Sequence, residues 1–194
     1  MAELFEPFAG PDAAPLAERL IGRFGSLKRV LDAPLVQLRA AAGGYDSAVD
    51  AIFGARRLVE AALGEELVST PVDGGDPAIH RYLRTRIGGA AEERLHAIFA
   101  DNRRGYLADE PVVMGSASRI EARARPLVER ALALGAGGIL LAHNHPSGRC
   151  RPSAEDIGGT LRLAEIAEAL ELTLIDHLIV TRTRVYSMRL GGCF

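Results

Sequence analysis

The sequence predicts an α/β fold, a mixed sheet flanked by helices and preceded by a small all-α region. Three observations predict it. Helical periodicity fills the first third of the chain, the run Gly138-Ile139-Leu140-Leu141-Ala142 is short and wholly apolar, and strand and helix patterns alternate around that run. A strand of that kind belongs in the buried middle of a sheet. The order strand, strand, helix, strand, helix, strand, strand is that of a mixed sheet covered by helices.

From the N-terminus, Leu16, Leu20, Phe24 and Leu27 recur at helical intervals, Gly25-Ser26 interrupts them, and Leu31, Leu35 and Leu38 resume the pattern. Residues 47–63 form a further helix with Val49, Ile52, Phe53, Leu58 and Val59. A helical domain is thus expected over residues 1–68. The stretch Thr70-Pro71-Val72-Asp73-Gly74-Gly75-Asp76-Pro77 is dense in turn formers, which puts a linker at 69–77 and a second domain at 78–194. In that domain, residues 94–100 and 105–115 read as strands, the first running into a turn at Asp101-Asn102. Residues 125–134 are helical, 138–142 a strand, 153–170 a helix, and 172–181 and 184–189 the last strands.

Composition narrows the function. The 194 residues carry a formal net charge of −2, so no global basic field marks a nucleic-acid binder. The two cysteines, Cys150 and Cys193, make neither a zinc knuckle nor a disulfide framework. No apolar run approaches the roughly 18–20 residues that span a bilayer, and Met1-Ala2-Glu3-Leu4-Phe5-Glu6 lacks the basic start of a signal peptide. A cytoplasmic protein with no membrane partner is expected.

The chemistry concentrates in Ala142-His143-Asn144-His145-Pro146-Ser147-Gly148-Arg149-Cys150-Arg151-Pro152-Ser153-Ala154-Glu155-Asp156. Residues i and i+2 point to the same side of a strand but lie about 200° apart on a helix. His143 and His145 therefore converge on one ion only where the chain is extended, as the preceding apolar run says it is. Asp156 is the candidate third ligand, about one turn into a helix whose start Pro152 and Ser153 signal. Two His and one Asp leave the fourth tetrahedral position free, the arrangement of a catalytic zinc and not of a structural one. Ser153-Ala154-Glu155-Asp156 also fits a capping box, which needs no metal.

These residues resemble a known family. His143-x-His145-Pro146-Ser147-Gly148, with seven residues between His145 and Ser153 and two more before Asp156, is similar to the JAMM (MPN+) signature of JAB-domain zinc metalloproteases. Together with Ile175-Asp176-His177-Leu178-Ile179-Val180, it resembles the RadC branch, historically called DNA repair protein RadC. The likeness covers roughly residue 78 to the C-terminus. It implies a cytidine-deaminase-like α/β fold, one Zn²⁺ held by His143, His145 and Asp156, and hydrolysis of peptide or isopeptide bonds in a protein or peptide substrate. Ser153 is implied to stabilise the oxyanion, and an upstream glutamate, aligned by the RadC pattern with Glu93, to act as general base. The alternative function is a DNA-repair accessory or docking module in which zinc is structural or little used. The zinc deaminases match poorly, because Cys150 stands alone. The chain departs from the RadC pattern at Arg125-Pro126-Leu127-Val128-Glu129, where relatives carry His-Pro-Arg-Glu.

The N-terminal third resembles a degenerate helix-hairpin-helix, its G-x-G reduced to Gly43-Gly44 before Tyr45. Up to Gly64 there are seven basic residues against eight acidic ones, too few for strong sequence-independent DNA binding, so protein docking is at least as good a reading. A homodimer stays open.

Strand alternation separates Glu93 from its neighbour. Glu93 shares a face with Leu95, Ala97 and Phe99, the apolar side expected to be buried in the core, whereas Glu92 goes with Arg94 and His96, the side expected to face solvent. Asp101 sits in a turn and Asp109 reads as solvated. Asp176 and His177 must face opposite ways, so one of them at most orients a zinc histidine. His80 and His96 carry no supporting context. Cys150 is expected to become reactive if its loop folds over the ion. Gly158-Gly159 inside the metal helix costs about 1 kcal/mol per glycine against alanine, with close approach by another element as one reason for it and chance as the other. A Ser-His-Asp hydrolase built on Ser147 or Ser153 lacks its G-x-S-x-G elbow.

Overall fold

The computed structural model describes residues 1–112 and 124–194. The chain forms two compact units, Met1–Ala62 and Leu63–Phe194. In the first, helices α1 (Ala2–Ala9), α2 (Ala13–Phe24), α3 (Leu27–Asp32), α4 (Leu35–Ala42) and the start of α5 (Asp46–Val68) enclose Leu16, Leu20, Val30, Leu38, Val49 and Ile52. Gly25 ends α2 at φ 85°, a conformation in which a side chain is strained. Ser26 then caps α3 by accepting from the Arg29 N–H. Gly43 and Gly44, at φ 62° and 97°, turn the chain from α4 into α5. At that turn Arg19 donates to the Ala42 carbonyl at 2.9 Å and lies 5.9 Å from the centre of the Tyr45 ring. Leu58 and Val59, expected on an apolar face, are exposed, because this core takes α5 only through Ala48, Val49 and Ile52.

The second unit holds the predicted mixed sheet, in the order β2-β1-β3-β4-β5. Strands β1 (Leu95–Ala100) and β2 (Tyr106–Val112) form an antiparallel hairpin. Asp101 closes its turn by accepting from the N–H groups of Arg103 and Gly105, both at 2.7 Å. Residues 113–115, expected to extend β2, lie outside the described residues. Strand β3 (Gly138–Asn144) is antiparallel to β1 and parallel to β4 (Thr173–Val180), and β5 (Val185–Ser187) is an antiparallel edge. The parallel pair is joined by helix α8 (Ala154–Glu168), as a crossover requires.

Alternation sorts the strands into two layers. Leu95, Ala97, Phe99, Ile139 and Leu141 pack with α8 and with α7 (Ala124–Ala133) through Leu163, Leu127 and Val128. Ile98, Leu140, Ala142, Leu178 and Val180 pack on the other face against α6 (Pro77–Arg86) through Ile79, Tyr82 and Leu83. Burial of both faces explains why β3 reads as a continuous apolar run.

The turn-rich segment 69–77 packs on this same α6 face. Val72 is buried there, and its N–H donates to the Arg104 carbonyl at 2.7 Å. Gly74 lies so close to Asp176 that a Cβ would collide with its carboxylate, and the Gly74 carbonyl bonds His80 Nε2 at 2.7 Å. Asp76 caps α6 by accepting from the Ala78 N–H, with Pro77 at the first helical position.

One irregularity bears on the site. Leu174 pairs with Ile139, but Asp176 pairs with Leu140, so β4 carries an extra residue at Ile175. Strict alternation from Leu174 would send His177 to the α6 face. The bulge reverses that and delivers it to the α8 face, opposite Leu141. Gly138 makes room for the displaced Ile175 side chain, whose Cδ1 would stand 2.9 Å from an added Cβ. Arg189 donates to the carbonyls of Ile175 and Leu174 at 2.8 and 2.6 Å, satisfying the backbone at the bulge.

Candidate metal centre

The end of β3 and the start of α8 bring three of the expected residues together. The ligand atoms of His143, His145 and Asp156 all lie within 4.8 Å of one another. His143 Nε2 is 2.8 Å from His145 Nε2 and 3.2 Å from Asp156 Oδ1, and His145 Nε2 is 3.5 Å from Asp156 Oδ2. Ligands on a tetrahedral zinc at the usual bond lengths stand about 3.3 Å apart, so the donor set and its spacing fit that ion. β3 runs on through Asn144, two residues beyond the expected end, which makes His143 a strand residue facing α8. His145 follows the strand, held by its own N–H on the Val180 carbonyl at 3.0 Å. A tight turn comes next, with Gly148 at φ 78° and its N–H on the His145 carbonyl at 3.0 Å.

The tautomer of His145 follows from its partner. His145 Nδ1 is 2.8 Å from the Arg149 carbonyl, which can only accept, so Nδ1 carries the proton. His143 Nδ1 lies 2.8 Å from His177 Nε2. Burial, and next to it His143, holds His177 well below the ordinary histidine range, so it is neutral. The Nε2 atoms of His143 and His145 and the Asp156 carboxylate converge on one point, as the ligands of a single ion would. Such a cluster calls for a cation. Burial alone would raise the Asp156 pKa. The neighbouring His143 and the hydrogen bond from the Ser153 N–H outweigh that, and the carboxyl stays well below the usual carboxylate range.

The capping box and the ligand cluster coexist. Ser153 Oγ accepts from the Asp156 N–H at 3.1 Å, and Asp156 Oδ2 accepts from the Ser153 N–H at 2.7 Å. Oδ1 is left facing His143. The Ser153 hydroxyl is spent on Asp156 Oδ2 at 2.7 Å. Rotation about Cβ–Oγ can turn that proton into the adjoining cavity without breaking the cap.

That cavity, of about 930 Å³, is lined by Glu93, His145, Ser153 and Asp156, with Arg149, Arg151 and Arg184 also in its wall. Glu93 stands just before β1, exposed to the cavity and not buried in the sheet, while Glu92 does not line it. The segment carrying both is pinned by Asn144, whose place between the two histidines turns it to the opposite face. Asn144 Oδ1 accepts from the Arg94 N–H at 2.6 Å, and its amide donates to the Glu92 and Ala90 carbonyls at 3.1 and 3.3 Å. Sequence reasoning missed this role, although a polar residue at the end of an apolar run was its signal.

Asp176 and His177 do face opposite ways. Asp176 is not near the histidines. It accepts from the Ser187 hydroxyl, from the His177 N–H at 2.7 Å and from the Arg189 N–H at 3.1 Å, bracing the bulge and β5. Cys150 also lines the cavity. Its thiol is half-buried and donates to the Ile179 carbonyl at 3.3 Å, and without a metal ion burial raises its pKa. Among the described residues, an added Cβ at Gly158 meets nothing within 4 Å.

A second polar cluster lies on the α6 face. Asp109 is 13% exposed, not solvated, because α6 covers it. It accepts from Tyr82 and Tyr106 hydroxyls, the latter at 2.5 Å, and pairs with buried His96 at 2.6 Å. Burial raises its pKa, but the hydrogen bonds from His96, Tyr106 and Tyr82 prevail and lower it to about 2. A depressed carboxylate stabilises the fold above its unfolded value, about 4, and that stability drains as pH falls towards the folded value of about 2. The melting temperature of the intact protein should therefore drop more steeply than that of Asp109→Asn between those values. Parallel curves would refute the cluster's contribution.

Comparison with known proteins matches this architecture. A family model described as RadC-like JAB domain matches residues 76–193. A UPF0758 protein of Paraburkholderia xenovorans is 34% identical over 188 residues, spanning 94% of this chain and 72% of that protein. A UPF0758 protein of Rhodobacter capsulatus is 34% identical over 193 residues, spanning 97% of this chain and 88% of its own length.

Proposed function

Because the chain belongs to the RadC-like JAB domain family, we propose that it is a zinc-dependent hydrolase of peptide or isopeptide bonds. The observation that carries this reading is the convergence of His143 Nε2, His145 Nε2 and the Asp156 carboxylate beside an open cavity that His145 and Asp156 line. His143, His145 and Asp156 would hold the ion. Zinc there supplies Lewis acidity towards a carbonyl and a water molecule.

The chain's own groups do the rest. Glu93, exposed on the cavity wall, takes the proton of the attacking water and returns it to the leaving amine. Ser153 turns its hydroxyl proton from Asp156 towards the oxygen that gains charge, while its Oγ goes on capping α8. His145, tied at Nδ1 to Arg149, keeps its orientation through the cycle. Arg149, Arg151 and Arg184 place positive charge along the channel a substrate must enter.

The test is a panel of fluorogenic peptides and isopeptide-linked peptide pairs, assayed with purified protein. Amide cleavage that a chelator abolishes and one equivalent of zinc restores is the expected result. Cleavage indifferent to the chelator, or none across the panel with zinc bound, would overturn the reading.

A further inference from the structure

His177 has no part in the proton transfers proposed above, yet it is fully buried and bonded on both ring nitrogens. Its Nδ1 is 2.6 Å from Thr160 Oγ1, and Thr160 Oγ1 is 2.6 Å from the Asp156 carbonyl oxygen. The direction of the chain follows from its far end. A carbonyl oxygen only accepts, so an O···O distance of 2.6 Å requires the Thr160 proton to lie between them. Thr160 Oγ1 then accepts from His177 Nδ1–H. The neutral imidazole of His177 presents a lone pair at Nε2, which accepts from His143 Nδ1–H at 2.8 Å. His143 is left with its Nε2 lone pair towards Asp156.

We infer that His177, aimed by the bulge in β4 and held by Thr160, is a positioning residue that fixes the ligating tautomer of His143 and braces β3 to the first turn of α8. The inference rests on the metal-site reading above. The brace runs between the two elements that carry ligands. It starts at a ligand histidine on β3, crosses His177 on β4, and ends on the backbone of Asp156, four residues before Thr160 on α8. Asp156 and Thr160, one turn apart, present their side chains to the same cluster. The reversed chain, with Thr160 donating to His177, would set two bare oxygens 2.6 Å apart and put a proton on His143 Nε2, where the metal must go. Asp176 and Arg189 support the arrangement from behind, since they hold the bulge that turns His177 to this face.

The test uses the full chain with Thr160→Val, which keeps the shape and removes the hydroxyl, and Thr160→Ser, which keeps the hydroxyl. Nitrogen-15 NMR of the metal-free protein reads the histidine tautomers, and competition with a chromophoric chelator reads zinc affinity. In the unaltered protein both His143 and His177 should carry their protons on Nδ1. Thr160→Val should weaken zinc binding by about 10- to 100-fold and Thr160→Ser by less than about 3-fold. A proton on His177 Nε2 in the unaltered protein, or unchanged zinc affinity in Thr160→Val, overturns the inference. Should Thr160→Val fail to fold, the tautomers of the unaltered protein and the affinity of Thr160→Ser still decide it. Failure of the unaltered protein to bind zinc would count against the metal-site reading, whereas the metal-free tautomers judge the brace separately.

Discussion

Glu93→Gln should keep the fold and the zinc and lose about two to four orders of magnitude in the rate of hydrolysis, the usual worth of a positioned base. The amide has nearly the shape of the carboxylate but cannot accept the proton. Glu93 lines the cavity with the ligand cluster, and its backbone is fixed by Asn144 through the neighbouring Arg94 N–H and Glu92 carbonyl. Glu92→Gln is the internal control. Its side chain is exposed away from the cavity lining, so the rate should hardly change. A larger loss in Glu92→Gln than in Glu93→Gln would mean that the wrong neighbour has been given the base's role. Equal, small losses would remove the glutamate from the chemistry.

The second large effect belongs to Asp156, which serves two purposes at once. Its Oδ2 closes the capping box with Ser153, and its Oδ1 faces His143. Asp156→Ala removes both and would confuse them. Asp156→Asn separates them, because an amide oxygen still accepts from the Ser153 N–H and holds the cap, worth about 1 kcal/mol. Asp156→Asn should therefore melt near the unaltered protein while its zinc affinity falls by at least about 100-fold, beyond the range expected for a merely supporting residue. If Asp156→Asn binds zinc undiminished, the aspartate is a cap and nothing more. The converse variant, Ser153→Ala, should cost helix stability while all three ligands stay in place.

The ligand cluster was legible because its demands are local. Two histidines one residue apart can meet only on an extended chain, and the run Gly138 to Ala142 announces a strand, while Ser153 and Asp156 announce a helix start. The mixed sheet was legible from the alternation of strand and helix patterns, but its strand order was not, because pairing joins segments distant in the chain. The bulge in β4 was not legible, for Leu172-Thr173-Leu174-Ile175 carries no glycine or proline to mark it. It depends on partners distant in sequence, the space above Gly138 and the reach of Arg189. Asp109 misled for a related reason. A mid-strand acid next to Glu110 looks solvated until α6 is known to cover it, and α6 begins where the chain reads as turns. Asn144 and Thr160 went unnoticed because each acts through backbone or through another side chain, which no motif spacing records.

The presence of zinc between His143, His145 and Asp156 is tested most directly by anomalous scattering at the zinc edge from crystals of protein purified without added metal. One peak per chain is expected, about 2.0–2.2 Å from His143 Nε2, His145 Nε2 and Asp156 Oδ1. No peak there, or a peak held by other residues such as Cys150, would contradict it.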